Sequence, residues 1–395
     1  MIRQILHLSI QRRWIVVLLS LAAALFGAWS LMRLPIDAVP DITNKQVQVN
    51  TTAPSLSPAE IEKQVTLRIE TALAGIAGLE STRSISRNGF SQVTAVFAEA
   101  TDIYFARQQV NERLIELRAA LPPNVDPKMG PISTGLGEIY MWSIAYSPGD
   151  GVYVTPEGER LTTDVARAAY LRTVQDWIVK PQIRGVTGVA GVDSIGGFTK
   201  QYQVQPDPAR LIAMNLSFAD IVRAIEASNV SRGASTIERN GEGIVVRSGG
   251  RLETPDDIGH VVVSTRGGVP VRVSDVARVE IGGEIRTGSA SMNGHEVVIG
   301  TALMLIGSNS RTVAAAVDAK LAELRKTLPA GIELTALLDR TTLVDATIKT
   351  VASNLGEGAL LVIVVLFLLL GNFRAALVAA LVIPLAMLMT AAGML

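Results

Sequence analysis

Three long apolar stretches constrain this chain more than any other feature of its sequence. Residues 14–32 contain no charged side chain, and Glu357 is the only charged residue among residues 351–370. Residues 375–395 are apolar apart from Thr390. A helix needs about 20 residues to cross a hydrocarbon core of roughly 30 Å. The sequence therefore predicts three transmembrane helices in a multi-pass protein that contacts the lipid bilayer.

Basic residues beside these stretches predict their orientation. Arg12 and Arg13 precede the first stretch, and Arg374 lies in the short turn between the second and the third. Because basic residues are enriched at cytoplasmic ends, residues 1–13 are predicted to be a cytoplasmic N-terminus, and residues from about 33 to 350 lie outside the cytoplasm. The alternative for the first stretch is a cleaved signal peptide, since small residues near its end are spaced like a cleavage site.

The composition excludes several classes of function. The chain has 36 basic and 36 acidic side chains, so its net charge favours no nucleic acid partner. It has no cysteine, which excludes disulfides and thiolate metal sites. Its three histidines, His7, His260 and His295, are far apart in sequence and form no typical zinc motif. We therefore expect no bound cofactor.

The region between the first two stretches contains an internal repeat. Residues 114–122 (LIELRAALP) resemble residues 321–329 (LAELRKTLP), 207 positions later. Residues 75–79 (GIAGL) resemble residues 185–189 (GVTGV), only 110 positions later. The two offsets differ by 97 residues, so the second copy is predicted to contain an inserted segment of about that length.

Each copy of the repeat has the pattern strand, helix, strand, strand, helix, strand. This βαββαβ order predicts a ferredoxin-like unit. The first unit is assigned to residues 33–134, and the second to residues 135–197 and 292–340. The inserted segment, residues 198–291, has strand and helix patterns of its own and is predicted to be a small α+β domain. The predicted fold class is therefore transmembrane helices plus an α+β region outside the cytoplasm.

Three short motifs resemble a known family. These are "PIDAVPDIT" at residues 35–43, "YFARQQVNERL" at residues 104–114 and "ISTGLGEIY" at residues 132–140. Together with the order of the domains, they resemble the resistance-nodulation-division (RND) efflux pumps. The resemblance is to the heavy-metal branch, which contains the cobalt-zinc-cadmium and copper-silver pumps. It extends over the whole chain.

The resemblance implies a function, partners and a location. A protein of this family is a secondary active transporter and not an enzyme, and it exports divalent heavy-metal cations as its substrate by proton antiport. It is a homotrimer in the bacterial inner membrane that joins a periplasmic adaptor protein and an outer-membrane channel protein. The two ferredoxin-like units would be periplasmic porter subdomains, and residues 198–291 would be the docking domain. The chain would then be the N-terminal third of such a pump, whose proton-relay residues lie beyond residue 395.

Two alternatives remain open from the sequence. An ABC-linked permease also has a large periplasmic domain between its first two spans. An inactive membrane-anchored fragment that only binds or assembles is the other alternative.

Three residues are candidates for binding metal or protons. Glu138 begins the first strand of the second unit and is a candidate oxygen ligand for a divalent cation, with a solvated or hydrogen-bonded strand-end glutamate as the alternative. His295 is a candidate imidazole ligand or a surface-turn histidine. Glu357 is a candidate for a proton path, because carboxylates within a membrane are costly, or a side chain that reaches the interface.

A polar stretch lies between the last strand of the second unit and the second apolar stretch. It contains Asp339, Arg340 and Asp345. We interpret these residues as a hinge between the periplasmic region and the membrane, with anchoring at the interface as the alternative.

Overall fold

A computed structural model describes residues 10–33, 43–54, 56–148, 152–156, 158–239, 241–248, 250–284, 286, 288–370 and 373–394. The proline-containing motif at residues 35–43 and His7 fall almost entirely outside these ranges. The first described helix, α1, spans Arg13–Arg33 and covers the first predicted transmembrane stretch, residues 14–32.

The first unit follows α1 and is built from nine successive elements. They are β1 (Gln46–Thr52), α2 (Pro58–Ile61), a π-helical segment (Glu62–Thr66), α3 (Leu67–Leu73), β2 (Leu79–Arg87), β3 (Phe90–Phe97), α4 (Ile103–Leu117), a 3₁₀ turn (Arg118–Ala120) and β4 (Asp126–Met129). The sheet has the order β2-β3-β1-β4, and its neighbouring strands are antiparallel.

Local sequence explains where the helices of this unit begin. Ser57 and Glu60 form a capping box, in which the backbone N–H of Ser57 donates to a Glu60 carboxylate oxygen at 2.9 Å. Asp102 caps α4 by accepting a hydrogen bond from the backbone N–H of Phe105 at 2.9 Å. Alternate residues of β1, including Val47 and Val49, are buried beneath these helices.

The second unit begins with a further set of elements. They are β5 (Glu138–Tyr146), β6 (Tyr153–Val154), β7 (Arg160–Leu161), α5 (Asp164–Thr173), a π-helical segment (Val174–Val179), α6 (Lys180–Arg184) and β8 (Val189–Ile195). Strand β5 begins at Glu138, as the sequence pattern predicts.

The inserted segment follows β8 and contains short strands and helices. They are β9 (Lys200–Pro206), α7 (Pro208–Ala213), α8 (Phe218–Ser228), β10 (Arg232–Arg239), β11 (Glu242–Ser248), α9 (Pro255–Gly259), β12 (Val262–Arg266), β13 (Val269–Arg272), α10 (Val273–Val276) and β14 (Ala277–Gly283). Strand β9 pairs with β14, β10 with β11, and β12 with β13. This segment has its own cluster of buried apolar side chains, which includes Leu211, Ile221 and Val273.

The chain then returns to the second unit with β15 (Ala290–Met292), β16 (His295–Met304), α11 (Ser310–Leu324) and β17 (Ile332–Asp339). In this sheet β8 and β15 pair with one side of β16, β5 pairs with its other side, and β17 follows β5. The four strands β8, β16, β5 and β17 therefore lie in the same order as β2, β3, β1 and β4. The predicted insertion boundary at residue 291 falls inside β15, because Ala290 and Ser291 already pair with β16.

The core of the second unit is centred on Trp142. Its side chain is fully buried between the sheet and the helices, and its Nε1 donates to Oε1 of Gln175 at 3.0 Å. Gly300 lies on the neighbouring strand, where a Cβ atom would be 2.3 Å from the Trp142 ring. Glycine is required at this position because the indole occupies the space of any side chain.

Both units contain a π-helical segment at the same place in their first helix. The segment of the first unit contains the buried Thr66, and the segment of the second unit contains the buried Gln175. Each buried polar side chain bonds to a serine of the following strand: Thr66 to Ser86 at 2.9 Å, and Gln175 to Ser194 at 3.2 Å.

Two helices complete the described chain. They are α12 (Arg340–Leu370) and α13 (Phe373–Met394), and α13 contains Pro384. Among the described residues, α1 and α12 are long and apolar enough to cross a membrane by length and composition, and α13 has a shorter apolar stretch at Ala380–Met394. Helix α12 begins eleven residues before the predicted span at residue 351, because the polar residues after β17 are themselves helical. The third predicted span stays a prediction.

Candidate functional site

The start of α12 and the start of β5 lie together at one end of the second unit. Strands β5 and β17 are antiparallel, and Asp339 is paired with Tyr140. Arg340 reaches back across this end, where its Nη1 donates to the backbone carbonyl of Leu136. Glu138 lies between these two contacts in sequence and is exposed. The structure therefore brings the candidate ligand Glu138 to the same edge as the predicted hinge residues.

Asp339 connects the strand directly to the helix. Its Oδ1 accepts hydrogen bonds from the backbone N–H of Thr341 at 2.8 Å and from the Thr341 hydroxyl at 2.6 Å. A carboxylate at this position satisfies an N–H that would otherwise have no partner in the first turn of the helix. Because β17 ends at Asp339 and α12 begins at Arg340, no loop separates the sheet from the helix.

Asp345 lies in the second turn of α12 and is paired with α11. Its Oδ1 is 2.7 Å from Nε of Arg311, and each of the two side chains is about half exposed. One residue earlier, Val344 is fully buried. The first turns of α12 are therefore held against the second unit by both an ion pair and an apolar contact.

A second polar contact lies inside the same end of the unit. The hydroxyl of Tyr140 donates to Oδ1 of Asp318 at 2.5 Å. Burial raises the pKa of Tyr140 well above its ordinary value, and the hydrogen bond to Asp318 and the negative charges of Asp318 and Asp339 raise it further. The phenol is therefore neutral at physiological pH and serves as a hydrogen-bond donor.

His295 is not part of this arrangement. It follows the Asn293–Gly294 turn, in which both residues have positive φ, and it is exposed. Glu138 is paired with Leu303 on β16, and His295 lies eight residues before Leu303, which is roughly 26 Å along an extended strand. The two candidate metal ligands are therefore at opposite ends of the sheet.

Glu357 stands apart from the other candidates on α12. It is exposed, and the hydroxyl of Ser353 donates to its Oε1 at 3.3 Å. Thirteen residues separate it from the end of α12, which is about 20 Å of helix. Within the described part of the chain, no three histidine, aspartate or glutamate side chains are grouped closely enough to hold a metal ion.

Sequence reasoning missed Leu136, Arg311 and Asp318. Arg340 and Leu136 are 204 residues apart, and Tyr140 and Asp318 are 178 residues apart. No local pattern indicates such partners. The only sequence signal was the repeat itself, which places the last helix of each copy over the first strand.

Comparisons with known proteins decide the family. The model of the AcrB/AcrD/AcrF family matches residues 5–395. The chain belongs to this family. The match includes α1, both βαββαβ units, the inserted segment and the two last helices.

Relatives of this family member confirm its resemblance to the heavy-metal branch of the RND pumps. It is 54% identical to the nickel and cobalt resistance protein CnrA of Cupriavidus metallidurans, over 100% of this chain and 38% of the relative. It is 52% identical to the cobalt-zinc-cadmium resistance protein CzcA of the same organism, over 100% of this chain and 36% of the relative. The chain thus spans little more than a third of the length of these relatives.

A solved structure supports the same assignment. The family member superposes on a crystal structure of a heavy metal efflux pump with a TM-score of 0.86 and 33% identity, over 99% of this chain and 38% of that chain. Its fold is therefore that of an RND pump with both α and β content. These relatives are resistance and efflux proteins, and nothing favours the ABC-linked permease.

Proposed function

We propose that this chain is part of a proton-driven inner-membrane pump that exports divalent heavy-metal cations. The observation that carries the proposal is the identity of 54% to a nickel and cobalt resistance protein over the whole of this chain. The relatives are almost three times as long, so transport by the complete protein is inferred from them. The pump is a secondary transporter, with the metal cation as substrate.

We assign the two βαββαβ units to porter subdomains and the inserted segment to a docking domain. Their common strand order supports this assignment, as does the superposition on a heavy metal efflux pump. The region between α1 and α12 then lies in the periplasm, and α1, α12 and α13 cross the inner membrane. In the complete assembly we expect three copies, together with a periplasmic adaptor and an outer-membrane channel.

We assign the passage of the cation to the edge where Glu138 lies. A carboxylate is a hard oxygen ligand that suits divalent cations, and Glu138 is exposed to solvent. A single carboxylate binds such an ion weakly, which suits a step along a path better than a storage site. His295 is too far along the sheet to complete this site, so a metal-binding role for it requires ligands from outside this chain.

We assign the coupling between movements of the second unit and the membrane helices to the start of α12. Because no loop intervenes, a movement of the second unit also moves the start of α12, and Asp339, Arg340 and Asp345 each support this connection. These contacts favour a rigid strut over a flexible hinge. Glu357 is the single acid in residues 351–370, and we expect proton exchange to need further acids from the rest of the pump.

A chimera tests the proposed function. This chain replaces the matching part of CnrA, and cells are grown on increasing nickel and cobalt concentrations. We expect the chimera to give resistance, and Glu138→Gln in the chimera to lower the tolerated metal concentration. The matched control is Glu333→Gln, which changes an exposed glutamate on β17 of the same unit.

The outcome that contradicts the proposal is a chimera present in the membrane at the parental level that gives no resistance. A chimera that works, but in which Glu138→Gln and Glu333→Gln behave alike, contradicts only the role of Glu138.

The isolated chain provides a second test. Residues 1–395 are reconstituted in liposomes with a pH gradient, an enclosed zinc dye and a pH dye. We expect zinc binding without gradient-dependent zinc movement, because the membrane segments contain one acid. Gradient-dependent movement that persists in Glu357→Gln would show a proton path in this chain that the proposal lacks.

A further inference from the structure

The inserted segment is joined to the second unit by a narrow neck. We define the neck as residues 196–199 on the outgoing chain and Glu284, Arg286 and Gly288 on the returning chain. Beyond it, β9 and β14 form a two-stranded ribbon in which Lys200 is paired with Gly283. Within it, the backbone N–H of Glu284 donates to the carbonyl of Thr199 at 3.0 Å. Because two chain segments alone form this connection, its resistance to bending depends on the side chains that contact it.

Arg286 braces the neck from the returning chain. Its guanidinium carbon lies 4.6 Å from the centre of the Phe198 ring, on the outgoing chain. The same guanidinium forms an ion pair with Glu296 of β16, and the two side chains are each 33% exposed. One side chain therefore links both chains of the neck to the sheet of the second unit.

Arg172 of α5 braces the other side. Its Nη1 donates to the carbonyl of Gly196 at 2.9 Å, and its Nε is 2.6 Å from Oδ2 of Asp176. The other carboxylate oxygen of Asp176 accepts a hydrogen bond from Ser194 at 2.7 Å. The side chains of Arg172 and Asp176 are only about a quarter exposed, so salt and solvent weaken this ion pair less than the pair of Arg286 with Glu296.

The two sides of the neck differ in packing. Gly197 has φ +64°, and a Cβ atom there would be 2.7 Å from the carbonyl oxygen of Ala168, so the outgoing chain is pressed against α5. Beside it lies a cavity of about 270 Å³. The cavity is lined by Arg172, Ser194, Gly196, Phe198, Glu284 and Arg286, among others. Both of its arginines are already paired with carboxylates, which favours a space for movement over a ligand site.

We infer that Arg286 and Glu296 form a latch that sets the orientation of the inserted segment. While the pair is closed, the returning chain is held to β16 at Arg286 as well as at β15. When the pair opens, the returning chain keeps the stacking of Arg286 on Phe198, the Glu284–Thr199 backbone hydrogen bond and the pairing of β15 with β16. The segment then pivots about Gly196 and Gly197 into the cavity. This inference concerns the movement of the inserted segment and does not depend on metal transport.

Spin labels measure this movement directly. The chain has no cysteine, so Glu226→Cys on α8 and Ala322→Cys on α11 are the only labelling sites in the full chain. Both positions are exposed. Distance distributions are recorded in detergent for the otherwise unchanged chain, for Glu296→Gln and for Arg286→Met. We expect both changes to broaden the distribution, and Arg286→Met to broaden it more because it also removes the contact with Phe198.

The expected size of the effect follows from the interactions that each substitution removes. Without the partly exposed ion pair and the cation–π contact, the population of displaced orientations should rise by about five-fold or more. In the unchanged chain, raising the salt concentration to about 1 M should broaden the distribution in the same direction as Glu296→Gln, because salt screens an exposed pair.

Arg278→Met is the matched control. Arg278 forms an ion pair with Glu280 at 3.1 Å, within β14 and outside the neck. We expect it to leave the distribution unchanged. The latch is overturned if Arg286→Met and Glu296→Gln leave the distribution as it is in the unchanged chain, or if Arg278→Met broadens it equally. Glu296→Gln is a nearly isosteric change, so it keeps the test valid even if Arg286→Met impairs folding.

Discussion

Nε of Arg311 lies 2.7 Å from Oδ1 of Asp345, and this ion pair joins the last helix of the second unit to the second turn of α12. Both side chains are about half exposed, so the pair contributes little to the total free energy of unfolding. Its position matters more than its strength. It is one of several contacts that hold the start of this 31-residue helix against the second unit.

We expect Asp345→Asn to loosen the start of α12 without unfolding the protein. The free energy of unfolding should change by less than about 1 kcal/mol, as is usual for an exposed pair. Hydrogen exchange of the amides at residues 343–349 should become faster. The control is Glu323→Gln, which removes the pair of Glu323 with Lys320 on α11 at 3.0 Å. Equal exchange at residues 343–349 in the two variants would contradict the role of Asp345.

Two threonines of the first unit should respond oppositely to valine. Thr51 is fully buried, and its hydroxyl has no hydrogen-bond partner among the described residues. Thr66 is equally buried, but its hydroxyl bonds to Ser86 at 2.9 Å and to Ser91 at 2.7 Å. We expect Thr66→Val to lower the free energy of unfolding by about 1–3 kcal/mol, and Thr51→Val to leave it unchanged or raise it.

Denaturant titration of both variants checks this prediction. The two substitutions have the same shape and remove the same atom, so they control for each other. A Thr51→Val variant as destabilised as Thr66→Val would show that the Thr51 hydroxyl has a partner.

Gly27 should be essential for the contact between α1 and α13. A Cβ atom at Gly27 would lie 2.4 Å from the carbonyl oxygen of Leu388, so the two helices touch backbone to backbone there. Small residues allow such close packing of membrane helices. We expect Gly27→Ala to lower stability in detergent by about 1–3 kcal/mol, because one helix has to move away.

The control for this prediction is Gly358→Ala on α12. Apart from its chain neighbours and the adjacent backbone of α12, no atom of the described residues lies within 4 Å of a Cβ atom at Gly358. We therefore expect no loss there, and a gain of up to about 1 kcal/mol from the better helix propensity of alanine. Thermal unfolding followed by circular dichroism in one detergent compares the two. A Gly27→Ala variant as stable as the parent would contradict the close contact.

Because the pKa of Tyr140 is raised in the folded protein, we expect the free energy of unfolding to fall at alkaline pH. Burial and Asp318 raise its pKa above the ordinary value near 10, so above about pH 10 the unfolded chain ionises its tyrosine while the folded chain does not. The stabilisation is fully present below pH 10 and is lost as the pH rises above it. Each such tyrosine adds at most about 1.4 kcal/mol of loss per pH unit.

Tyr140→Phe should reduce this alkaline slope, although it also removes the hydrogen bond to Asp318 at all pH values. Denaturant titrations between pH 8 and pH 11 separate the two effects, because the lost hydrogen bond shifts the whole curve and the ionisation changes its slope. Tyr104→Phe, at an exposed position on α4, is the control. An unchanged slope in Tyr140→Phe would contradict the prediction.

The strands of both units could be predicted because alternation of apolar residues is a local property. Strand β5 shows this well, since the sequence predicts a strand that begins at Glu138 and the structure has Glu138–Tyr146. The short helices of the inserted segment, such as Pro208–Ala213, were missed because a single turn or two carries too little periodicity. The π-helical segments were missed for a related reason, since one wider turn barely alters the spacing of apolar residues.

The positions of the candidate residues within strands could be predicted from the sequence, but the residues that surround them in space could not. Glu138 was predicted to begin a strand and does so, and His295, a candidate ligand or surface-turn histidine, begins another. That the two lie at opposite ends of one sheet follows from the antiparallel pairing of β5 with β16, across an insertion of about 97 residues. Asp339 and Arg340 were interpreted as a polar hinge, and this stays a prediction; the direct run of β17 into α12 at these residues was not predicted.

The sequence by itself determined which segments are apolar enough to be candidate membrane spans, that the region between the first two contains two copies of a repeat, and that the second copy carries an inserted segment. These are properties of composition and spacing, and each is contained in a short stretch of chain. Only the tertiary structure decided that Arg340 meets Leu136, that Arg311 meets Asp345 and that Arg286 stacks on Phe198. Those contacts join residues distant in the chain, and they form only after burial of the two cores has fixed how the strands are ordered, because that burial supplies most of the free energy of folding.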